Sequence, residues 1–240
     1  MKLLLTAIGA AVLAIAAPAH AANVAHQTAQ GDYTSNVLGG AAWSNFTAMF
    51  DATHTRTAIA DFSNPAQLAG FDAVWVDQEL GNTLSGAEVA SLGGYVAAGH
   101  KAVLIGENYS WAAWNASLVS VVGGSHTDDC SWAAGGPLVG GVLTSGIASV
   151  QNICGSTLGA AGGAQILFSN QMAALYSVGS GQALVIMDSN WNDNNYMSSV
   201  DNTKFAANVI TWLATPVPEP STWLLMALGL GAVGALARKR

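Results

Sequence analysis

Apolar and polar positions along this chain follow two periods, and the switches between them mark out its elements. Residues 71–77 (FDAVWVD) are a short apolar run closed by an acid, the pattern of a strand buried on both faces. Val89, Leu92 and Val96 then recur at helical spacing. Ser85 stands where that helix would be capped, and Glu88 three residues on completes a capping box. Gly99 stops the helix, and residues 101–105 (KAVLI) predict a second buried strand. A strand, helix and strand within about 35 residues is the size of a parallel crossover, with right-handed connection expected.

The same rhythm runs to either side. Residues 41–50 predict a helix, 55–60 a strand and 115–122 a short helix. Residues 182–187 (QALVIM) read as a strand apolar on both faces. Residues 201–213 read as a helix, with Asp201 as cap and Phe205, Val209 and Trp212 as its apolar stripe. The opening strand is the least defined, and ANVAHQT supplies it. The glycine-rich stretch 123–181 predicts short strands near 165–169 and 172–178, an antiparallel extension. No repeat is visible. The sum is one α/β domain, a three-layer sandwich around a mostly parallel sheet.

Both ends break this rhythm. Lys2 is followed by an apolar run from Leu3 to Ala17 and by Ala19-His20-Ala21, a small-x-small pattern. This is the grammar of a secretory signal peptide, cut by signal peptidase after Ala21. A retained membrane anchor is the alternative, and the body is exported in either case. At the other end, a Pro-rich segment leads into 17 uncharged residues, Ser221 to Ala237, and then Arg238, Lys239 and Arg240. A typical bilayer needs about 20 residues, and tilt, thinning and snorkelling absorb a small mismatch. The basic tip favours the cytoplasmic side, so transient inner-membrane anchoring is expected. An amphipathic tail packed on the domain is the alternative, against which the run shows no polar face. The chain thus divides into a leader, 1–21, an exported domain, 22–215, and a C-terminal signal, 216–240.

Charge narrows the partners. The whole chain carries a formal net charge of −7. Residues 22–215 alone hold Arg56, Lys101 and Lys204 against thirteen carboxylates, a balance of −10. Such a surface repels nucleic acid and anionic lipid. Cys130 and Cys154 are an isolated pair, read as a disulfide in an oxidising compartment. Closing a loop of about 25 residues is worth roughly 3.5 kcal/mol in the loop-entropy account. A catalytic cysteine is the rival reading.

Candidate chemistry collects where strands end. Asp77 and Glu79 follow one strand, Glu107 the next, and Asp188 the last. In a parallel sheet these carboxyl ends converge, and ligands bind there. Three uses stand open: tying loops and caps, acid/base work on a glycoside, or holding calcium. Asp188, Asn190, Asn192, Asp193 and Asn194 offer alternating oxygens, but the glycine and glutamate of a calcium loop are missing, with Ser199 at the twelfth position. No other cofactor is expected. Trp111, Trp114, Trp132 and Trp191 fall in predicted loops or at their borders. Trp111 and Trp114 follow the Glu107 strand and Trp191 the Asp188 strand, so three indoles would share one edge. An indole is a stacking face for a sugar, and Asn190 or Asp188 can read hydroxyls. The bland alternative is that these rings plug long loops. Trp75 and Trp212 are assigned to the core.

Two resemblances add to this. Val217-Pro218-Glu219-Pro220-Ser221-Thr222, with the apolar run and basic tip behind it, resembles the PEP-CTERM sorting signal of Gram-negative bacteria. Pro218, Glu219 and Pro220 match its tripeptide. The resemblance implies an exosortase-type transpeptidase as partner, and delivery to the periplasm, outer surface or exopolysaccharide matrix. The body, over most of residues 55–213, resembles the class I glutamine amidotransferase-like superfamily in its non-catalytic secreted branch, with flavodoxin-like sheets as near neighbours. Catalytic members carry a cysteine on a tight elbow after a central strand; here Gly106-Glu107-Asn108 stands there, and no Gly-x-Ser-x-Gly elbow occurs anywhere. Where a catalytic histidine would follow the final strand, the chain reads Asp188-Ser189-Asn190. The expectation is a sorted surface or matrix protein whose body binds a polysaccharide or another small ligand without turnover. The alternative is a secreted glycan hydrolase using Glu107 with Asp77, Glu79 or Asp188. A third reading is a structural partner bound through the glycine-rich segment.

Overall fold

The computed structural model describes residues 20–27, 35–77 and 83–217. Residues 1–19 of the expected leader, Glu79, the tripeptide Pro218, Glu219, Pro220 and the expected membrane run and basic tip behind it lie outside the described residues. Eleven strands and five α-helices are described. β1 is Asn23–Gln27, α1 Ser44–Asp51, β2 Thr55–Ile59, α2 Pro65–Leu68 and β3 Ala73–Val76. α3 is Gly86–Ala97, β4 Lys101–Ile105 and α4 Ala112–Ser120. β5 (His126–Ser131), β6 (Ala134–Gly135), β7 (Val150–Gln151), β8 (Gly155–Leu158), β9 (Gln165–Ile166) and β10 (Ala173–Val178) fill the glycine-rich stretch. β11 is Gly181–Ile186 and α5 Asn202–Leu213.

Seven strands form one sheet in the order β2-β1-β3-β4-β11-β10-β9. β2, β1, β3, β4 and β11 run parallel, and β10 and β9 add the antiparallel extension. The β3–α3–β4 crossover forms as its pattern predicts. Ser85 Oγ accepts the Glu88 N–H at 3.2 Å and Glu88 Oε2 accepts the Ser85 N–H at 2.8 Å, a complete capping box. Gly99 closes the helix at φ +112°, a left-handed value that a side chain disfavours.

Alternate residues of each central strand face opposite layers. Trp75, Val103, Ile105, Leu184 and Ile186 pack with Trp43, Phe46 and Phe50 around α1 and with Phe205 and Val209 of α5. Val74, Val76, Ala102, Leu104 and Val185 pack with Leu92 and Val96 of α3 and Leu118 of α4. Strands with both faces covered account for their continuous apolar runs. The sandwich is three layers, as expected.

Two local expectations need correction. Asp201 precedes α5 but makes no side-chain cap; its Oδ2 accepts the Ala148 N–H at 2.7 Å and its Oδ1 pairs with Lys204 Nζ at 2.9 Å. The short helix begins earlier than predicted, at Ala112, behind a 3-10 turn over Tyr109–Trp111. Cys130 and Cys154 form a disulfide, which clamps β5 to the start of β8. No described helix is long and apolar enough to cross a membrane.

Candidate functional site

The strand order reverses between β1 and β3, the switch point at which open α/β sheets bind ligands beyond their carboxyl ends. Asp77 sits at that point, just past β3. Its Oδ2 accepts the Leu38 N–H at 2.6 Å, so the segment leading to α1 is drawn across the crevice. The Trp75 indole N–H lies near enough to favour the charged carboxylate, yet makes no well-formed bond, leaving Trp75 Nε1 and Asp77 Oδ1 unpartnered. Burial dominates and pushes the Asp77 carboxyl up to about 8.

Glu107 and Asp188 meet at the next junction, past β4 and β11. Both oxygens of Asp188 accept backbone N–H groups, Oδ2 from Ile153 at 2.6 Å and Oδ1 from Asn190 at 2.7 Å. Glu107 Oε2 accepts the Asn108 N–H at 2.9 Å, and Oε1 accepts Asn190 Nδ2 at 3.1 Å. Burial, against the pull of donors from Asn108, Ser189 and Asn190, pushes Glu107 up to about 7. Burial and the neighbouring Glu107 hold Asp188 well above the ordinary carboxylate range. Asn115 of α4 clamps the elbow: its Oδ1 accepts the Glu107 N–H at 2.9 Å and its Nδ2 donates to the Glu107 carbonyl at 2.8 Å. Gly106 leaves no room for a side chain, since a Cβ there would fall 2.6 Å from Met187 Sδ. The turn after β4 thus carries an internally bonded glutamate, and Glu107 is not among the residues with positive φ.

Within the run from Asp188 to Asn194, Asn190 Oδ1 and Asp193 Oδ2 both accept from Asn36 Nδ2 at 3.3 Å, while other oxygens have separate partners. Asp193 Oδ1 takes the Asn195 N–H at 2.7 Å. Asn194 Oδ1 caps α1 through the Asn45 N–H at 3.0 Å. Asn192 is fully buried, with neither side-chain atom partnered. Among the described residues no group of three His, Cys, Asp or Glu side chains is placed to hold a metal. Side chains of this run tie the β11 loop to α1 and to the β7–β8 arm.

The indoles separate. Trp114 is buried in the core and donates its Nε1–H to the Ile105 carbonyl at 2.9 Å. Trp191 is fully buried against Phe46 and Phe205, at 5.9 and 4.9 Å between ring centroids. The expected three-indole edge is therefore corrected: two of the three rings are core, and Trp111 is half-buried. Trp132 alone of the four is open, 57% exposed, and meets Tyr196 edge-on at 6.2 Å. Tyr109, 61% exposed, stands on the 3-10 turn behind Glu107. The tyrosines are missing from the sequence reading; their position after strand ends was the signal available.

Comparisons with known proteins divide between tail and body. Residues 216–240 match the PEP-CTERM protein-sorting motif. That match supports an exported chain handled by an exosortase. A comparison with curated proteins finds no match. Among solved structures, the mmIFT52 N-terminal domain superposes with a TM-score of 0.66 at 12% identity, covering 82% of this chain and 99% of that one. A putative GMP synthase component from Thermoplasma acidophilum gives 0.52 at 8% identity, covering 80% and 96%. A putative ThuA-like protein from Parabacteroides merdae gives 0.50 at 11% identity, covering 81% and 90%. The body has an amidotransferase-like α/β fold, and identities this low speak for the fold alone.

Proposed function

We propose that this chain is an exported, PEP-CTERM-sorted protein of the cell surface or extracellular matrix whose body binds a glycan without catalysing its cleavage. The observation that carries the binding reading is the open Trp132 ring braced by Tyr196. An exposed indole held by a second ring offers a flat apolar face at little entropic cost. Asn195 lies exposed beside Tyr196, and an amide group suits sugar hydroxyls. Against turnover, Asp188 has both oxygens committed to backbone N–H groups, and Glu107 is tied at both oxygens as well. A carboxylate engaged in this way is a structural fastener rather than a free acid or base. The net negative charge of the body favours a neutral polysaccharide over an acidic one.

Affinity electrophoresis in gels with and without a neutral polysaccharide tests this. The exported chain is expected to be retarded, and Trp132→Ala to weaken retention about tenfold, or about 1.4 kcal/mol. Equal mobility in both gels across a panel of neutral polysaccharides would count against a glycan ligand.

A further inference from the structure

We propose that His54 is the seat of a new amino terminus: once the chain is cut between Ala21 and Ala22, the freed α-amino group of Ala22 docks on the His54 imidazole beside the last turn of α5. The proposal rests on reading residues 1–21 as a leader removed after Ala21.

Ala22 is fully buried, one residue before β1, and belongs to the core cluster on the α1/α5 side. Its backbone N–H donates to His54 Nδ1 at 3.0 Å. The other ring nitrogen, Nε2, lies 2.9 Å from the carbonyl of Ile210 in α5. A carbonyl only accepts, so Nε2 carries the proton and Nδ1 is a bare acceptor. The tautomer is thus set by the helix, and the lone pair is aimed at the first residue of the body. Phe50 packs edge-on against the ring at 5.1 Å and fixes its plane.

Hydrolysis of the Ala21–Ala22 bond consumes one water and leaves a carboxylate on Ala21 and an amine on Ala22. The amine keeps a hydrogen for Nδ1, so the freed end can make the same bond to His54 when β1 docks. The carboxyl end of α5 carries partial negative charge, which favours an ammonium there. In the uncut chain His20 N–H reaches the Ala214 carbonyl at 3.4 Å. His20 and Ala21 also line a cavity of about 250 Å³ together with Thr53, His54, Ile210, Thr211 and Ala214. Their departure leaves the new amine on the wall of that cavity, walled by His54 and the end of α5.

The same contacts order the events of processing. The carbonyl of Ala22 accepts the Thr55 N–H at 3.0 Å, and β1 lies between β2 and β3 inside the sheet. A protease must hold the chain extended on both sides of the bond it cuts. Once β1 has docked, the Ala22 side of that bond is out of reach. Cleavage therefore precedes docking of β1.

The test uses the full-length chain exported from a Gram-negative host and extracted from its membranes. N-terminal sequencing should begin at Ala22. Acylation of the α-amine by an activated ester should be at least about tenfold slower in the native protein than in urea, the factor that 1.4 kcal/mol represents. His54→Ala, checked for an unchanged circular dichroism spectrum, should raise the native rate toward the urea rate. A start at another residue would remove the leader reading and this proposal together. A start at Ala22 with equal native and urea rates would remove the seat alone, and needs no variant. A folded His54→Ala chain that keeps its protection would take His54 out of the account.

Discussion

Asp77 has one engaged and one empty oxygen, Oδ2 on Leu38 and Oδ1 without a partner. With its carboxyl pushed to about 8, it is a neutral acid through most of the physiological range. An unfolded chain releases that proton near pH 4. Between about pH 4 and 8 the folded state therefore binds more protons than the unfolded state, and raising the pH lowers stability. Glu107, raised to about 7, acts in the same direction up to that pH. Urea midpoints should be highest near pH 4 and fall toward pH 8. Asp77→Asn mimics the neutral acid, so it should stay within about 1 kcal/mol of the parent at pH 5 and flatten the decline. Asp188→Asn differs, because an amide nitrogen would face a backbone N–H; a loss of about 1–3 kcal/mol is expected in the same measurement. The acids themselves stand out in the sequence as strand-ending residues. Their donors do not: Leu38 and Ile153 lie 39 and 35 residues away along the chain, and only folding brings them close.

Elements whose forces are local were readable, and those held from a distance were not. β3, α3 and β4 could be placed because apolar period, capping box and stop glycine lie within one short stretch. The β5–β8 and β6–β7 arms escaped because glycine-rich sequence carries little period, and their pairing is fixed by contacts elsewhere. Gly155 shows the constraint: a Cβ there would lie 2.6 Å from the Asp188 Cβ, so β8 can approach the end of β11 only without a side chain. Trp114 and Trp191 follow strands and read locally as loop residues, yet Ile105, Phe46 and Phe205 bury them. The disulfide supplies to the β5–β8 arm what its sequence lacks. Replacing Cys130 and Cys154 with serine should cost about 2–4 kcal/mol in urea unfolding, with the far-ultraviolet spectrum of the sheet retained.

For the whole molecule, tail and body should be separable. Lys101, at the start of β4, donates to the carbonyls of Trp212 and Thr215 and lies over the Trp212 ring at 4.7 Å. The end of α5 is thereby fastened by residues inside the body, before residue 216 begins. Removing 216–240 should leave the melting temperature unchanged by calorimetry, while fractionation shows the protein shifted out of its surface or membrane pool. A body that melts early without those residues would mean that the tail contributes to the fold.

α5 runs back against β11, so Thr215 emerges at the amino-terminal rim of the sheet, where His54 and Lys101 also grip that helix. Trp132 and Tyr196 crown the opposite rim. The aromatic face and the point where the chain leaves the body toward residue 216 thus lie at opposite ends of the sheet, so a ligand held at the one need not crowd the other.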